Sequence, residues 1–117
     1  MTENLPLLDQ SVIDRLALDV GEKTARMLVE SLIVEIESSG RKLESHLSDG
    51  DVKLVENQAH ALKSAARSFG AMQLGESCLA LEEAARASDM QKLGSLMKEF
   101  KTISDATLQK YCFGGEA

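Results

Sequence analysis

The sequence predicts an all-α fold: an up-down-up-down antiparallel four-helix bundle with an additional short N-terminal helix. Three observations carry that expectation. The core vocabulary is aliphatic, with 44% apolar residues, 3% aromatics and no Trp, a set that suits packed helices. Pro6 is the sole proline, whereas a β-rich domain usually needs Pro and Gly turns at short intervals. Apolar residues also recur at spacings of three and four along most of the chain, which is the period of an amphipathic helix. The length of 117 residues fits one compact domain over 1–117.

Residues 1–7 read as a loose lead-in. A short helix is predicted over about 9–19, with Ile13, Leu16 and Ala17 on its inner side and Gly21 as its end. A long helix follows over 22–47, with Leu28, Leu32, Ile36, Leu43 and Leu47 as one stripe. Gly40 interrupts it at a cost near ~1 kcal/mol relative to Ala. Ser48-Asp49-Gly50-Asp51 forms a turn, and either aspartate can cap the next helix. That helix, over 51–69, has the cleanest pattern: Val52, Val55, Ala59, Leu62, Ala66 and Phe69 are spaced 3, 4, 3, 4, 3. Gly70 suits the left-handed residue that ends a helix. The helix over 71–87 turns Leu74, Cys78, Leu81 and Ala85 inward. Ser88 to Gln91 reads as a capping box. The last helix, over 89–112, carries Leu93, Met97, Phe100, Ile103 and Tyr111, and 113–117 reads as a fraying tail.

Composition narrows the function. A net charge of −6 and a pI near 4.9 argue against general nucleic-acid binding. Cys78 and Cys112 form no CxxC pattern, so neither zinc nor a disulfide framework is implied. No apolar run approaches the ~18 residues of a membrane span, and no secretory signal opens the chain. A cytoplasmic monomer is expected.

The informative stretch is HALKSAARSFGA, residues 60–71. At about 100° per residue, His60 lies roughly 130° from the centre of the apolar stripe, on the exposed side. Glu56 is one turn back, Lys63 one turn on and Arg67 two turns on. Beside them runs a band without bulk: Ala61, Ser64, Ala65 and Ser68. An imidazole on a rigid helix is an oriented nucleophile. The two cations favour its uncharged form by repulsion and can offset the charge of an acquired phosphoryl group. The small band would let a partner's active site approach. Spacing alone does not separate this from an ordinary surface histidine beside ordinary surface cations. The second histidine, His46, sits in the last turn of the long helix with no lysine three residues on and no small band. There it complements the helix dipole or is merely exposed.

This run resembles the phosphorylation motif of histidine-containing phosphotransfer (HPt) domains, roughly H-x-L-K-G followed by small residues and a glycine. The resemblance spans about residues 9–112. Within the family the chain is most similar to the stand-alone phosphorelay shuttles of vibrio quorum sensing, which also carry serine after the lysine. The resemblance implies that His60 is the phosphoryl acceptor and donor, through the ring nitrogen remote from the backbone. It places Lys63 beside the phosphoryl group and ends the histidine helix at Gly70, which is expected to join Ala61, Ser64, Ala65 and Ser68 on the partner-docking face. Ser64 stands where the family most often has glycine. Arg86, on the following helix, falls where some members place a cation near the site; as a residue it reads equally as a plain surface cation.

The implied reaction is reversible phosphoryl transfer between His60 and receiver-domain aspartates, from a hybrid sensor kinase to a response regulator. No GxxxxGK[ST] loop or other ATP signature is present, so the expected protein is a carrier without ATP-dependent kinase activity. It needs no cofactor of its own, because the partner receiver supplies Mg²⁺. The rival reading is a helical bundle used purely for binding, which sequesters a partner without chemistry. A metal-binding bundle fails for lack of paired ExxH motifs.

Overall fold

The computed structural model describes the backbone of residues 5–116 and the side chains of residues 5–111. These described residues are all-helical, with five helices and no strand: α1 (Gln10–Val20), α2 (Glu22–Ser48), α3 (Val52–Ser68), α4 (Met72–Arg86) and α5 (Met90–Glu116). Neighbours in sequence pack together, and α2 also packs against α5. The four long helices therefore surround one core, built on Ile36, Leu43, Leu62, Leu74, Leu81, Leu93 and Phe100. α1 packs on α2 and buries none of its residues fully, while Ile13 joins the core's edge.

Three helix ends use the same device. α2, α3 and α4 each stop with the pair of backbone bonds of a Schellman motif. These are Asp51 N–H to His46 O with Gly50 N–H to Leu47 O, Ala71 N–H to Ala66 O with Gly70 N–H to Arg67 O, and Asp89 N–H to Ala84 O with Ser88 N–H to Ala85 O. The motif needs one residue at positive φ. Gly50 and Gly70 supply it at 74° and 81°, and Ser88 supplies it at 55°.

Several expectations change. Ser88 is not the cap of α5, because it is occupied in that left-handed turn; Asp89 caps instead, accepting from Lys92 N–H at 3.1 Å. Of the two aspartates before α3, Asp51 is the cap, accepting from Leu54 N–H at 3.2 Å. Leu28 is 37% exposed rather than core, since the α2 stripe runs through Ala25, Leu32, Ile36, Ser39 and Leu43. α2 continues unbroken through Gly40, and α5 continues past 112 to Glu116, since glycine weakens a helix without forbidding it. The lead-in is not loose over its described part. Leu5 O accepts from Gln73 Nε2 at 2.8 Å, and Asp9 N–H donates to Gly70 O at 2.8 Å. Residues 1–4, Ala117 and the Cys112 thiol lie outside what is described. Cys78 is a free, buried thiol, pushed up to about 12 by desolvation.

Candidate functional site

Burial of Val55, Ala59, Leu62 and Ala66 fixes the rotation of α3. His60 is then left with its side chain 62% exposed. α3 and α4 run in opposite directions, for their contacts pair 56 with 86, 60 with 82 and 67 with 76. α4 buries Leu74, Cys78, Leu81 and Ala85. That rotation brings Glu82, on the flank of the stripe, against α3 with its side chain only 6% exposed.

Glu82 is the hub. Its Oε1 accepts from Lys63 Nζ at 2.6 Å, and its Oε2 lies 2.8 Å from His60 Nδ1 and 3.2 Å from Arg86 Nη2. The Lys63 hydrogen bond foremost, and then the His60 bond, hold its carboxyl below the usual range against the opposing effect of burial. An ionised carboxylate can only accept. Nδ1 of His60 therefore carries the hydrogen of this bond, and in the neutral ring the lone pair stays on Nε2.

Arg86 links this carboxylate to a second one. Its Nε donates to Glu56 Oε2 at 3.0 Å while Nη2 donates to Glu82. Arg86 holds the Glu56 carboxyl below its ordinary value through that bond, and Lys53 Nζ stands 3.5 Å from Glu56 Oε1.

The charge reading of the sequence needs correction. Lys63 is not a free cation beside the ring, for its side chain is 14% exposed and its ammonium is paired with Glu82. Arg67 is not gathered to His60 at all. It starts about 10 Å further along the helix axis, its stem crosses Gly75, and its Nη2 is 3.8 Å from Glu76 Oε2. A Cβ at Gly75 would stand 2.9 Å from Arg67 Cγ, so the glycine gives the arginine its course across α4. The cation that shares the histidine's own carboxylate oxygen, Glu82 Oε2, is Arg86.

The small band is placed as expected in part. Ala61, Ser64 and Ser68 are exposed and Ala65 is half-buried. Ser64 Oγ turns back to His60 O at 3.4 Å and Ser68 Oγ to Ser64 O at 2.9 Å. Both hydroxyls are thus folded onto the helix, and the surface stays low. Gly70 does not belong to this surface. It is buried under the start of α1, where a Cβ would meet Asp9 O at 2.7 Å. His46 is half-buried in the last turn of α2, away from this network.

Sequence reasoning missed Glu82. Its signal was a carboxylate four residues after the inward Cys78 and four before Arg86, on the rim of a buried stripe where a charge requires partners. Among the described residues, no group of three or more His, Cys, Asp or Glu is arranged to hold a metal ion. None of their helices is long and apolar enough to cross a membrane.

Residues 27–110 match the Hpt domain family. The chain belongs to that family. It is 28% identical to the phosphorelay protein LuxU of Vibrio harveyi over 92% of this chain and 95% of that one. It is 30% identical to LuxU of Vibrio cholerae serotype O1 over 89% and 92%. The crystal structure of histidine-containing phosphotransfer protein B from Pseudomonas aeruginosa PAO1 superposes with a TM-score of 0.89 at 25% identity, covering 95% of this chain and 96% of that one. The resemblance seen in residues 60–71, to Hpt proteins and to relay shuttles of the LuxU kind, is borne out.

Proposed function

We propose that this Hpt protein is a phosphorelay intermediate that carries a phosphoryl group on Nε2 of His60. It takes the group from the receiver aspartate of a hybrid sensor kinase and gives it to the receiver aspartate of a response regulator. One observation carries the reading: Nδ1 is engaged by Glu82 while the ring stands largely exposed, so Nε2 is the free nucleophile.

The transfer balances without a separate base. The Nε2 lone pair attacks phosphorus, the N–P bond forms, and the P–O bond to the receiver aspartate breaks. The bonding electrons leave on that aspartate's carboxylate. Nδ1 keeps its hydrogen, and the positive charge gained by the ring faces the carboxylate of Glu82. The reverse step returns the N–P electrons to the ring and regenerates the neutral acceptor. The low surface of Ala61, Ser64, Ala65 and Ser68 gives the receiver room to bring its aspartate in line. The receiver contributes its own acidic pocket and Mg²⁺. The packing of α2 on α3, α3 on α4, α4 on α5 and α5 on α2 supports an up-down-up-down bundle as the scaffold, working as a cytoplasmic monomer.

The test is transfer from a phosphorylated receiver to wild type and to His60→Gln. Wild type should take up a label that is lost in acid and kept in base, and His60→Gln should take up none. Equal labelling of the variant, or an acid-stable label, overturns the assignment. Receiver binding with no labelling of wild type would instead establish the pure binding module.

A further inference from the structure

We propose that Glu56 is a positioning residue for phosphoryl transfer: it holds Arg86 beside His60 as the cation that meets the phosphoryl group. This rests on the assignment of His60 as the phosphoryl carrier. Glu56 stands one turn before His60 on the flank that faces α4, and its side chain is only 17% exposed. Arg86 reaches across from the last turn of α4 and is 61% exposed. An ion pair with so open a partner adds little to stability, so its value lies in where it puts the guanidinium.

That placement is specific. Arg86 Nη2 and His60 Nδ1 bond the same Glu82 oxygen, at 3.2 and 2.8 Å, so the two nitrogens are no more than about 6 Å apart. A guanidinium has five N–H donors. Glu56 occupies the one on Nε, and Glu82 occupies one on Nη2. The remaining donors stay open on an exposed group beside the ring, and we assign them to oxygens of the phosphoryl group on Nε2. Lys63 does not serve in the same way, since its side chain is largely buried and its ammonium is bonded to the other oxygen of Glu82. Without Glu56, Arg86 keeps one carboxylate bond and a long flexible stem. The guanidinium is then no longer fixed in its fork geometry.

The experiment measures single-turnover transfer between a phosphorylated receiver and wild type, Arg86→Gln, Glu56→Gln and the double variant, with receiver affinity measured separately. Arg86→Gln should slow the transfer step about tenfold, the scale of one charged hydrogen bond in a transition state. Glu56→Gln should slow it about threefold to fivefold with affinity unchanged, and should have no further effect in the Arg86→Gln background. Glu56→Asp should recover part of the rate. Independent, multiplying effects, an unchanged rate in Glu56→Gln, or a faster one would overturn the proposal. A faster rate would mean that Glu56 competes with the phosphoryl group for Arg86. Failure of wild type to take an acid-labile label that His60→Gln lacks would instead remove the underlying assignment, and the proposal with it.

Discussion

The two sides of α3 are built on opposite principles. The flank toward α4 is dense with charge: Glu56, His60 and Lys63 meet Glu82 and Arg86 through three contacts of 2.6 to 3.0 Å, and Arg86 bonds Glu82 at 3.2 Å. The outer crest is nearly bare, with Ala61, Ser64 and Ser68 exposed and the serine hydroxyls turned back on the helix. On the proposed assignment, the first fixes the ring that carries the phosphoryl group, and the second keeps clear the approach to it. A reactive side chain on a small protein needs both, because a nucleophile held rigidly but crowded cannot be reached, and one that is reachable but loose is poorly aimed.

The comparison breaks most severely at Glu82. Glu82→Gln keeps the shape, removes the charge, and offers an amide that no longer dictates which ring nitrogen bears hydrogen. Phosphoryl uptake should fall about a hundredfold, as expected when a histidine loses its orienting carboxylate; rapid-quench transfer measures this. The same change leaves the largely buried Lys63 side chain without its anion and should cost about 1–3 kcal/mol of stability in a denaturant melt. Unchanged transfer would mean that the charged flank is only structural.

The bare crest is tested by filling it. Ser64→Phe should slow transfer about tenfold through lost approach geometry, while circular dichroism shows the helical content unchanged, since the site is exposed. Normal kinetics in this variant would show that the partner approaches elsewhere.

Acid should dissolve the charged flank and spare the crest, with the smallest of these effects. The carboxyls of Glu82 and Glu56 are both held below their ordinary value of 4.5 by Lys63 and Arg86 respectively. On acidification the unfolded chain takes up these protons first. The stabilisation is therefore complete above about pH 4.5 and is lost as the pH falls through the lower folded values. Thermal melts should show Tm dropping over this window, and the drop should be shallower in Glu82→Gln.

Much of this was legible in the sequence, because periodicity reports on what a residue faces. The 3-4 spacing from Val52 to Phe69 was enough to turn His60 outward and to place Ala61, Ser64 and Ser68 on the surface. What periodicity does not report is the partner across a helix pair. Lys63 and Arg67 are equivalent on a single helix, and only packing against α4 sends one to Glu82 and the other over Gly75 to Glu76. Leu28 was misplaced for a related reason: either of two neighbouring stripes fits α2, and contact with the other helices selects the one through Ala25 and Leu32. The turn before α5 shows a local pattern losing to geometry. Ser88 has the chemistry of a cap, but the preceding helix claims it first for a left-handed turn.

On the proposed assignment, the openness of His60, whose side chain is 62% exposed, also sets a clock. A phosphoryl group carried there would be open to water as well as to a receiver, without the exclusion of water that a closed site provides. The carried state would then be a message with a limited dwell time, delivered promptly or erased. Such a relay would report the present output of its kinase rather than store its past.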